Sequence, residues 1–288
     1  MLTCEKCQSD DIDLVERLDD GRRRVGCQAC GHIWVRGAAM ATPPPIDTFA
    51  EARKRFPGPE QVSPDRLARV NSLKVAFLQR QPEPRPEVVA YWAKYQAVFS
   101  SGALHACDPQ DLKDFANIET GARPGNMSVF NTAWNRMGAQ AGAQRTRDTI
   151  DYLLYWPASI PMEDRLTTLI TEESGRGMTG FKESLLTKVL CIIYPDRFLP
   201  ILTYSSPNVG KREIAKLIYD LDLPEEARVT WTIGRLIFWS NDVLVQLAGD
   251  GFATTQHMSQ FFWETKNRTA ELAAADQVGQ LQRERPSN

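Results

Sequence analysis

The chain has 288 residues, of which 42% are hydrophobic and 24% are charged, and its formal net charge is −2. This composition is typical of an ordinary globular protein, and the length allows a small module together with one larger domain. The nearly balanced charge excludes a protein that attracts nucleic acid over its whole surface, so any such contact must use a local patch.

Four cysteines near the N-terminus form two Cys-x-x-Cys pairs, Cys4 with Cys7 and Cys27 with Cys30. Each pair can offer two thiolates from one short turn, and two pairs complete the tetrahedral sulfur site that zinc prefers. Four thiolates leave no open position for a reactive water, so the spacing predicts one structural Zn²⁺ rather than a catalytic metal. Two disulfides or a redox site are the alternatives. The absence of a signal-peptide pattern favours a reducing cytoplasm, and a redox Cys-x-x-Cys is typically single.

The residues between the two pairs predict a short β-hairpin. Apolar residues at Ile12, Leu14 and Val15 lead to a turn at Asp19–Gly21, and Val25 follows it. A closing strand is expected at residues 31–35. We therefore predict a small β zinc ribbon over residues 1–37.

Beyond the ribbon, the pattern changes to a Pro-rich linker, predicted over residues 38–61, and then to helices. Apolar residues recur at helical spacing, each segment is bounded by Pro, Gly, Asp or Asn, and no strand pattern is sustained. The fold class expected is mainly α, with an α-helical domain over 62–270 and a polar C-terminal helix and tail over 271–288. The helices are predicted over 63–79, 86–98, 108–117, 128–137, 143–155, 162–171, 179–193, 208–221, 224–248 and 254–282.

Two segments carry a resemblance to known families. The run Cys27-Gln28-Ala29-Cys30-Gly31-His32-Ile33-Trp34 resembles the zinc ribbons of transcription elongation factors and small RNA polymerase subunits, a type of ribbon that also serves in protein docking. The run from Gly180 to Leu190, followed by Tyr194 to Ile201, resembles helical regions beside the motor of McrB-type, modification-dependent restriction proteins. This resemblance implies a role in bacterial antiviral defence or genome maintenance. The chain has no phosphate-binding Gly-x-x-x-x-Gly-Lys-Ser/Thr motif, so it lacks the motor itself.

Basic and aromatic residues of the ribbon predict a nucleic-acid contact, because guanidinium groups bind phosphates and an exposed aromatic ring can stack on a base. The alternative is a solvated turn with Trp34 in the ribbon's own core, and acidic residues nearby would repel phosphate. The candidates are Arg22, Arg23, Arg24, Trp34 and Arg36.

In the helical body, two glycine-containing loops that precede helices, 121–126 and 172–180, could hold phosphates with their backbone N–H groups. Simple flexibility and an ordinary helix start are the alternatives for these loops, and a solvated helix face is the alternative for the basic residues near position 211. The candidates in this part of the chain are Arg123, Arg176, Lys211 and Arg212.

No catalytic residues are predicted. The elements Pro195-Asp196 and Glu264-Thr265-Lys266 resemble parts of a restriction-type nuclease, but the second falls in a predicted helix rather than on a strand. The hypothesis is therefore a non-catalytic, cytoplasmic zinc-ribbon protein that binds nucleic acid, with DNA favoured. A protein-interaction adaptor whose ribbon docks a partner is the main alternative, and a metal-dependent nuclease is a weaker one. No contact with a membrane is expected.

Overall fold

The computed structural model describes residues 3–17, 23–36, 56–156, 159–172, 175–207 and 209–268. The chain divides into two compact units, Met1–Ala52 and Arg53–Asn288. The predicted hairpin turn at 19–21, the Pro-rich stretch and the polar C-terminal tail lie outside the described residues. The boundaries predicted at 37, 61 and 270 stay predictions.

The first unit contains a three-stranded antiparallel sheet in the order β1-β2-β3, with β1 at Ile12–Arg17, β2 at Arg23–Cys27 and β3 at Ile33–Arg36. Val25 lies opposite Leu14 on one side and Trp34 on the other. The register shifts between Leu14 and Glu16, so Val15 occupies a bulge in β1. A bulge reorients a side chain relative to the regular alternation, which matters for the surface described below.

The second unit is helical, and the prediction of a mainly α protein with a small N-terminal β module is confirmed. Its helices are α1 Pro64–Arg80, α2 Pro86–Val98, α3 Pro109–Asn117, α4 Ser128–Met137, α5 Ala139–Tyr155, α6 Met162–Thr171, α7 Glu183–Ile193, α8 Lys211–Tyr219 and α9 Ile233–Ala248. Residues 255–268 form a further helix, α10. Short 3-10 turns lie at Pro59–Gln61, Leu104–Ala106 and Glu226–Arg228. No helix among the described residues is long and apolar enough to cross a membrane.

Helix starts follow the local sequence signals. The Ser63 side chain accepts a hydrogen bond from the Arg66 N–H, and Asp108 accepts one from Gln110, each just before a proline in the first turn. Three predicted starts were too early. The helix predicted over 208–221 begins at Lys211. The helix predicted over 179–193 begins at Glu183, after Gly180 with φ +79°. The one predicted over 224–248 begins only at Ile233, because a separate 3-10 turn intervenes.

Helices α7 and α9 form the centre of this unit. Every residue from Leu185 to Ile192 is buried, so this part of α7 has no solvent-facing side and encloses the polar residues Thr187 and Lys188 together with the apolar ones. Helix α9 packs closely on α6. At this crossing, a Cβ atom on Gly234 would lie 1.9 Å from the Glu163 carbonyl oxygen, so only glycine permits the observed approach.

A recurrent contact stabilises the ends of these helices. The last carbonyl groups of a helix have no partner within the helix, and cationic donors are favoured there by the helix dipole. In this unit, a donor from another helix or from the segment beside it supplies many of these hydrogen bonds. A side chain donates to a carbonyl group at the C-terminal end of seven of the helices in the described part of the unit. The donors are His257 at the end of α1, Lys188 at α3, Arg165 at α5, Lys182 at α6, Gln96 at α7, Arg66 at α8 and Lys74 at α9.

Residues just before α1 also belong to this packing. The Phe56 ring lies 4.9 Å from the Trp231 ring and 5.2 Å from the Trp239 ring, measured between centroids. The C-terminal end of the predicted linker range 38–61 is therefore part of the packed helical unit.

Candidate metal centre

Two turns of nearly identical backbone geometry hold the four cysteines of the first unit. In the first turn, the Gln8 N–H donates to the Cys4 carbonyl at 2.9 Å, and the Cys4 N–H donates to Ser9 at 2.7 Å. In the second turn, Gly31 donates to Cys27 at 2.9 Å, and Cys27 donates to His32 at 2.9 Å.

The residue four positions after the first cysteine of each pair has a positive φ, +61° at Gln8 and +68° at Gly31. The two Cys-x-x-Cys pairs, which have the same spacing in the sequence, therefore also have the same backbone conformation.

The four sulfur atoms converge on one point. All ligand atoms of Cys4, Cys7, Cys27 and Cys30 lie within 4.8 Å of one another. The Cys4 and Cys30 Sγ atoms are 3.6 Å apart, and those of Cys7 and Cys27 are 3.5 Å apart. Tetrahedral zinc–sulfur bonds of 2.3 Å place neighbouring sulfurs about 3.8 Å apart, whereas a disulfide requires about 2.0 Å. The geometry fits a four-thiolate metal site and does not fit two disulfides.

The protonation of these thiols shows why a cation suits the site. The pKa of Cys4 is lowered to about 7: burial raises it, but hydrogen bonds from the backbone N–H groups of Cys7 and Lys6 outweigh burial. The pKa of Cys7 is raised to about 12: the Ser9 N–H lowers it, but the thiols of Cys30 and Cys27 raise it more. A thiolate forms readily at Cys4, and a thiolate at Cys7 is disfavoured beside the other sulfurs. A divalent cation would remove this restriction by neutralising the added charge.

The strand register gathers arginines at one end of the sheet. Arg23 of β2 lies directly opposite Arg17 of β1 and Arg36 of β3, so three arginines occupy one cross-strand row. Like charges in facing positions destabilise a sheet unless an anion neutralises them. Arg17 was missed by the sequence analysis, and the hairpin register is the signal that would have found it. Arg22 lies outside the described residues.

The other residues of the sheet that were predicted to contact nucleic acid differ in their exposure. Trp34 is half-buried, and its ring stacks on the His32 ring with centroids 5.5 Å apart and an interplanar angle of 15°. Both Arg23 and Arg24 are exposed. Arg24 lies opposite Val35 in the register, one position along from the arginine row.

One face of the sheet is apolar and exposed. A Cβ atom on Gly26 would lie 3.0 Å from Val15 and 3.7 Å from Ile33, which shows that both side chains flank this glycine on one face. Val35 shares that face with Ile33 because strand residues two apart point the same way. Val15, Ile33 and Val35 are 53%, 55% and 42% exposed. We call these three residues the ribbon apolar face.

The candidates of the helical unit do not converge on one surface. Lys211 is completely buried, and its Nζ donates to the Ile201 carbonyl. Burial lowers the pKa of Lys211 to about 8, an effect that the nearby Cys191 and Glu183 oppose. The prediction that Lys211 contacts nucleic acid is therefore corrected: it begins α8 with its side chain inside the protein.

Three other arginines of this unit already have contacts. Arg212 donates to the Leu223 carbonyl at 3.1 Å and to Glu225 at 3.0 Å. Arg123 is exposed and pairs with Glu119 at 2.9 Å. Arg176 lies over the Trp156 ring, 4.7 Å from its centroid. Among the described residues, the candidates of the helical unit do not lie in one row as Arg23 and Arg36 of the ribbon do.

No protein family, curated protein or solved structure matches this chain. The resemblance to McrB-type proteins receives no support from these comparisons. The four-cysteine cluster thus remains the best-defined site, a group that could hold a metal ion.

The residues that resembled nuclease elements lie in a different setting. Glu264 and Lys266 belong to helix α10, where Glu264 pairs with Arg80 and the Lys266 Nζ lies 5.3 Å from the centroid of the Trp263 ring. Asp196 is exposed in the turn after α7. In a restriction-type nuclease, the Glu-x-Lys element lies on a strand, where both side chains point to the same side and reach one metal together with the aspartate. Two residues that are two positions apart on a helix point in different directions, so Glu264 and Lys266 do not have this arrangement.

Proposed function

We propose that the N-terminal unit is a structural zinc ribbon that binds nucleic acid, with DNA as the favoured target. Zinc is the metal that best matches four thiolates at these distances. The arginine row Arg17–Arg23–Arg36 supports the functional part of the proposal, because the strand register places three residues of like charge at facing positions, and an anion would offset their repulsion. A phosphate backbone supplies such anions at regular spacing.

The zinc centre and the arginine row belong to the same strands. Cys27 ends β2, the strand that begins at Arg23, and β3 follows the second cysteine pair. Metal binding therefore holds the register that lines up the arginines. The half-buried Trp34 and its stacked partner His32 add an aromatic pair to the same strand region, which suits contact with an unpaired base.

The test is fluorescence-anisotropy binding of the zinc-loaded chain to labelled duplex and single-stranded DNA and RNA at several salt concentrations. A variant with Arg17, Arg23 and Arg36 all changed to Gln removes three charges and keeps the sheet residues long. A matched control changes Arg69, Arg136 and Arg268, which are exposed in the helical unit, to Gln.

For duplex DNA, the dependence of log affinity on log salt should become shallower by about 2 to 3 in the ribbon variant, since each neutralised phosphate contributes about 0.9. The control should leave it unchanged. If both variants lost the same DNA affinity, the loss would follow from the lower net charge and not from the arginine row. Absence of any DNA or RNA binding at low salt would refute the proposal.

A protein-docking role is the second candidate, and the ribbon apolar face favours it. Exposed β-branched residues on one sheet face offer a partner a surface to bury. Binding of this kind persists at high salt. Changing Val15 and Ile33 to Thr should abolish it, whereas changing the exposed Val89 and Val129 of the helical unit to Thr should not.

The defence or genome-maintenance setting rests on the McrB-type resemblance alone. It stays a prediction, to be tested by whether deletion of the gene changes the plating efficiency of bacteriophages on its host.

A further inference from the structure

The helical unit contains a groove with a volume of about 950 Å³, close to the upper end of the range for small-molecule sites. Its walls are the end of α1, the start of α2, the loop 119–125, residues 200–206 with Val209, and one side of α10.

Helix α10 has two contrasting faces. Residues such as His257, Phe261 and Phe262 are completely buried on the core side. The groove side carries polar side chains at helical spacing together with one indole: Gln256, Ser259, Gln260, Trp263, Glu264 and Asn267. The exposure of these residues rises along the helix, from 6% at Gln256 and 3% at Ser259 to the exposed Asn267. The groove is therefore deepest near the start of α10.

One polar atom of the residues that line this groove has no hydrogen-bond partner among the described residues. It is Gln256 Oε1, from an amide that is more than nine-tenths buried and forms part of the wall. Most buried polar atoms in folded proteins are paired, so an unpaired acceptor in the wall of a groove is consistent with a site for a polar ligand.

The charges of the groove indicate a neutral ligand. Arg123 is paired with Glu119 and Glu264 with Arg80, while Arg85 and Glu87 carry opposite charges at the start of α2. The groove thus lacks the excess of cations that a phosphate group needs. Amide side chains recognise the hydrogen-bonding edge of a heterocyclic base, and an indole can stack on its face.

We propose that this groove binds a neutral, planar heteroaromatic compound of the nucleoside class. Gln256 hydrogen-bonds the polar edge of the ligand at the deep end, which requires a rotation of its amide, and Trp263 contacts the ring. The site belongs to the helical unit and does not depend on the function proposed for the ribbon.

The experiment is saturation-transfer NMR on the full zinc-loaded chain with adenosine, guanosine, cytidine and thymidine, followed by calorimetric titration of the best binder and of its 5′-monophosphate. The variants are Gln256→Met and Trp263→Leu. Gln246→Met, at an exposed position of α9, is the matched control.

At least one nucleoside should bind, and each groove variant should weaken it by about tenfold, while the control does not. Gln256→Met should also leave the melting temperature of the unliganded protein unchanged or raise it, because an unpaired buried polar group is replaced by an apolar one of similar shape. This separates lost binding from lost folding.

Three results would overturn the proposal. They are the absence of binding by any of the four nucleosides at millimolar concentration, equal affinity in the wild-type chain and both groove variants, and tighter binding of the monophosphate than of the nucleoside. The ribbon variant with three Gln substitutions should bind the nucleoside normally, so failure of the nucleic-acid proposal leaves this test intact.

Discussion

At the scale of single residues, Gln8 and Gly31 hold equivalent places in the two cysteine turns but differ in the strain they carry. Both have a positive φ, a conformation that costs a residue with a side chain about 1–2 kcal/mol. Glycine adopts it without that cost. The first turn therefore carries strain that the second avoids.

We expect Gln8→Gly to increase the affinity of the ribbon for zinc by about two- to fivefold, a gain reduced by the greater freedom of glycine in the unfolded chain. Gly31→Ala is the reciprocal variant. A Cβ atom there would have nothing within 4 Å, so any loss of affinity reports backbone strain alone. Competition with a chromophoric chelator measures both. Weaker zinc retention in Gln8→Gly would contradict the interpretation.

Two lysines of the helical unit, Lys188 and Lys211, are completely buried, whereas lysine side chains are usually exposed to water. The Lys188 Nζ donates to Phe115 at 3.1 Å and to Ile118 at 2.5 Å, and lies 5.0 Å from the centroids of the Tyr91 and Phe115 rings. Lys188, which belongs to the central helix α7, thus donates hydrogen bonds to the carbonyl groups at the C-terminal end of α3. Burial lowers the pKa of Lys188 to about 7, although the nearby Cys191 and Glu119 oppose this.

At the scale of helices, this contact between α7 and the end of α3 makes the free energy of unfolding depend on pH. With its pKa lowered to about 7, Lys188 loses its proton in the folded protein as the pH rises from 7 to 9, whereas it stays protonated in the unfolded chain, whose lysine pKa is about 10.4. The unfolded state then binds more protons, so the free energy of unfolding rises with pH across this window. Lys211, whose pKa is lowered to about 8, acts in the same direction.

Lys188→Met should reduce that slope by up to about 1.4 kcal/mol per pH unit, the contribution of one proton. Urea unfolding at pH 7, 8 and 9 measures it. Lys94→Met, at an exposed position of α2, should leave the slope unchanged. An unaltered slope in Lys188→Met would show that Lys188 stays charged in the folded protein.

At the scale of the whole molecule, the two compact units depend on different forces. Within its described residues, 3–17 and 23–36, the first has few buried side chains and four cysteines at one point, whereas the second has an extensive apolar core around α7 and α9. A small module with so little core depends on its metal for folding.

Cys27→Ser, or removal of zinc by a chelator, should unfold the ribbon and leave the helical content of the chain nearly intact. Far-ultraviolet circular dichroism measures the helices, and limited proteolysis reports the loss of the ribbon. Loss of the helical signal together with the ribbon would contradict the independence of the two cores. Acidification should also release the metal, since protons compete for the thiolates.

Local chemistry is what the sequence by itself determined. The cysteine spacing predicts the four-thiolate cluster because each pair lies within one turn, and most helices were located to within a few residues because caps, prolines and apolar spacing are local signals.

Only the tertiary structure decided what depends on residues far apart in the chain. It buried Lys211, which the sequence placed on an open face, and it brought α10 to the loop 119–125 to form a groove. The physical reason is that the environment of a charged or polar side chain is set by its neighbours in space. The local sequence around a lysine at a helix start is the same whether water or the carbonyl group of a residue far along the chain accepts its hydrogen bond.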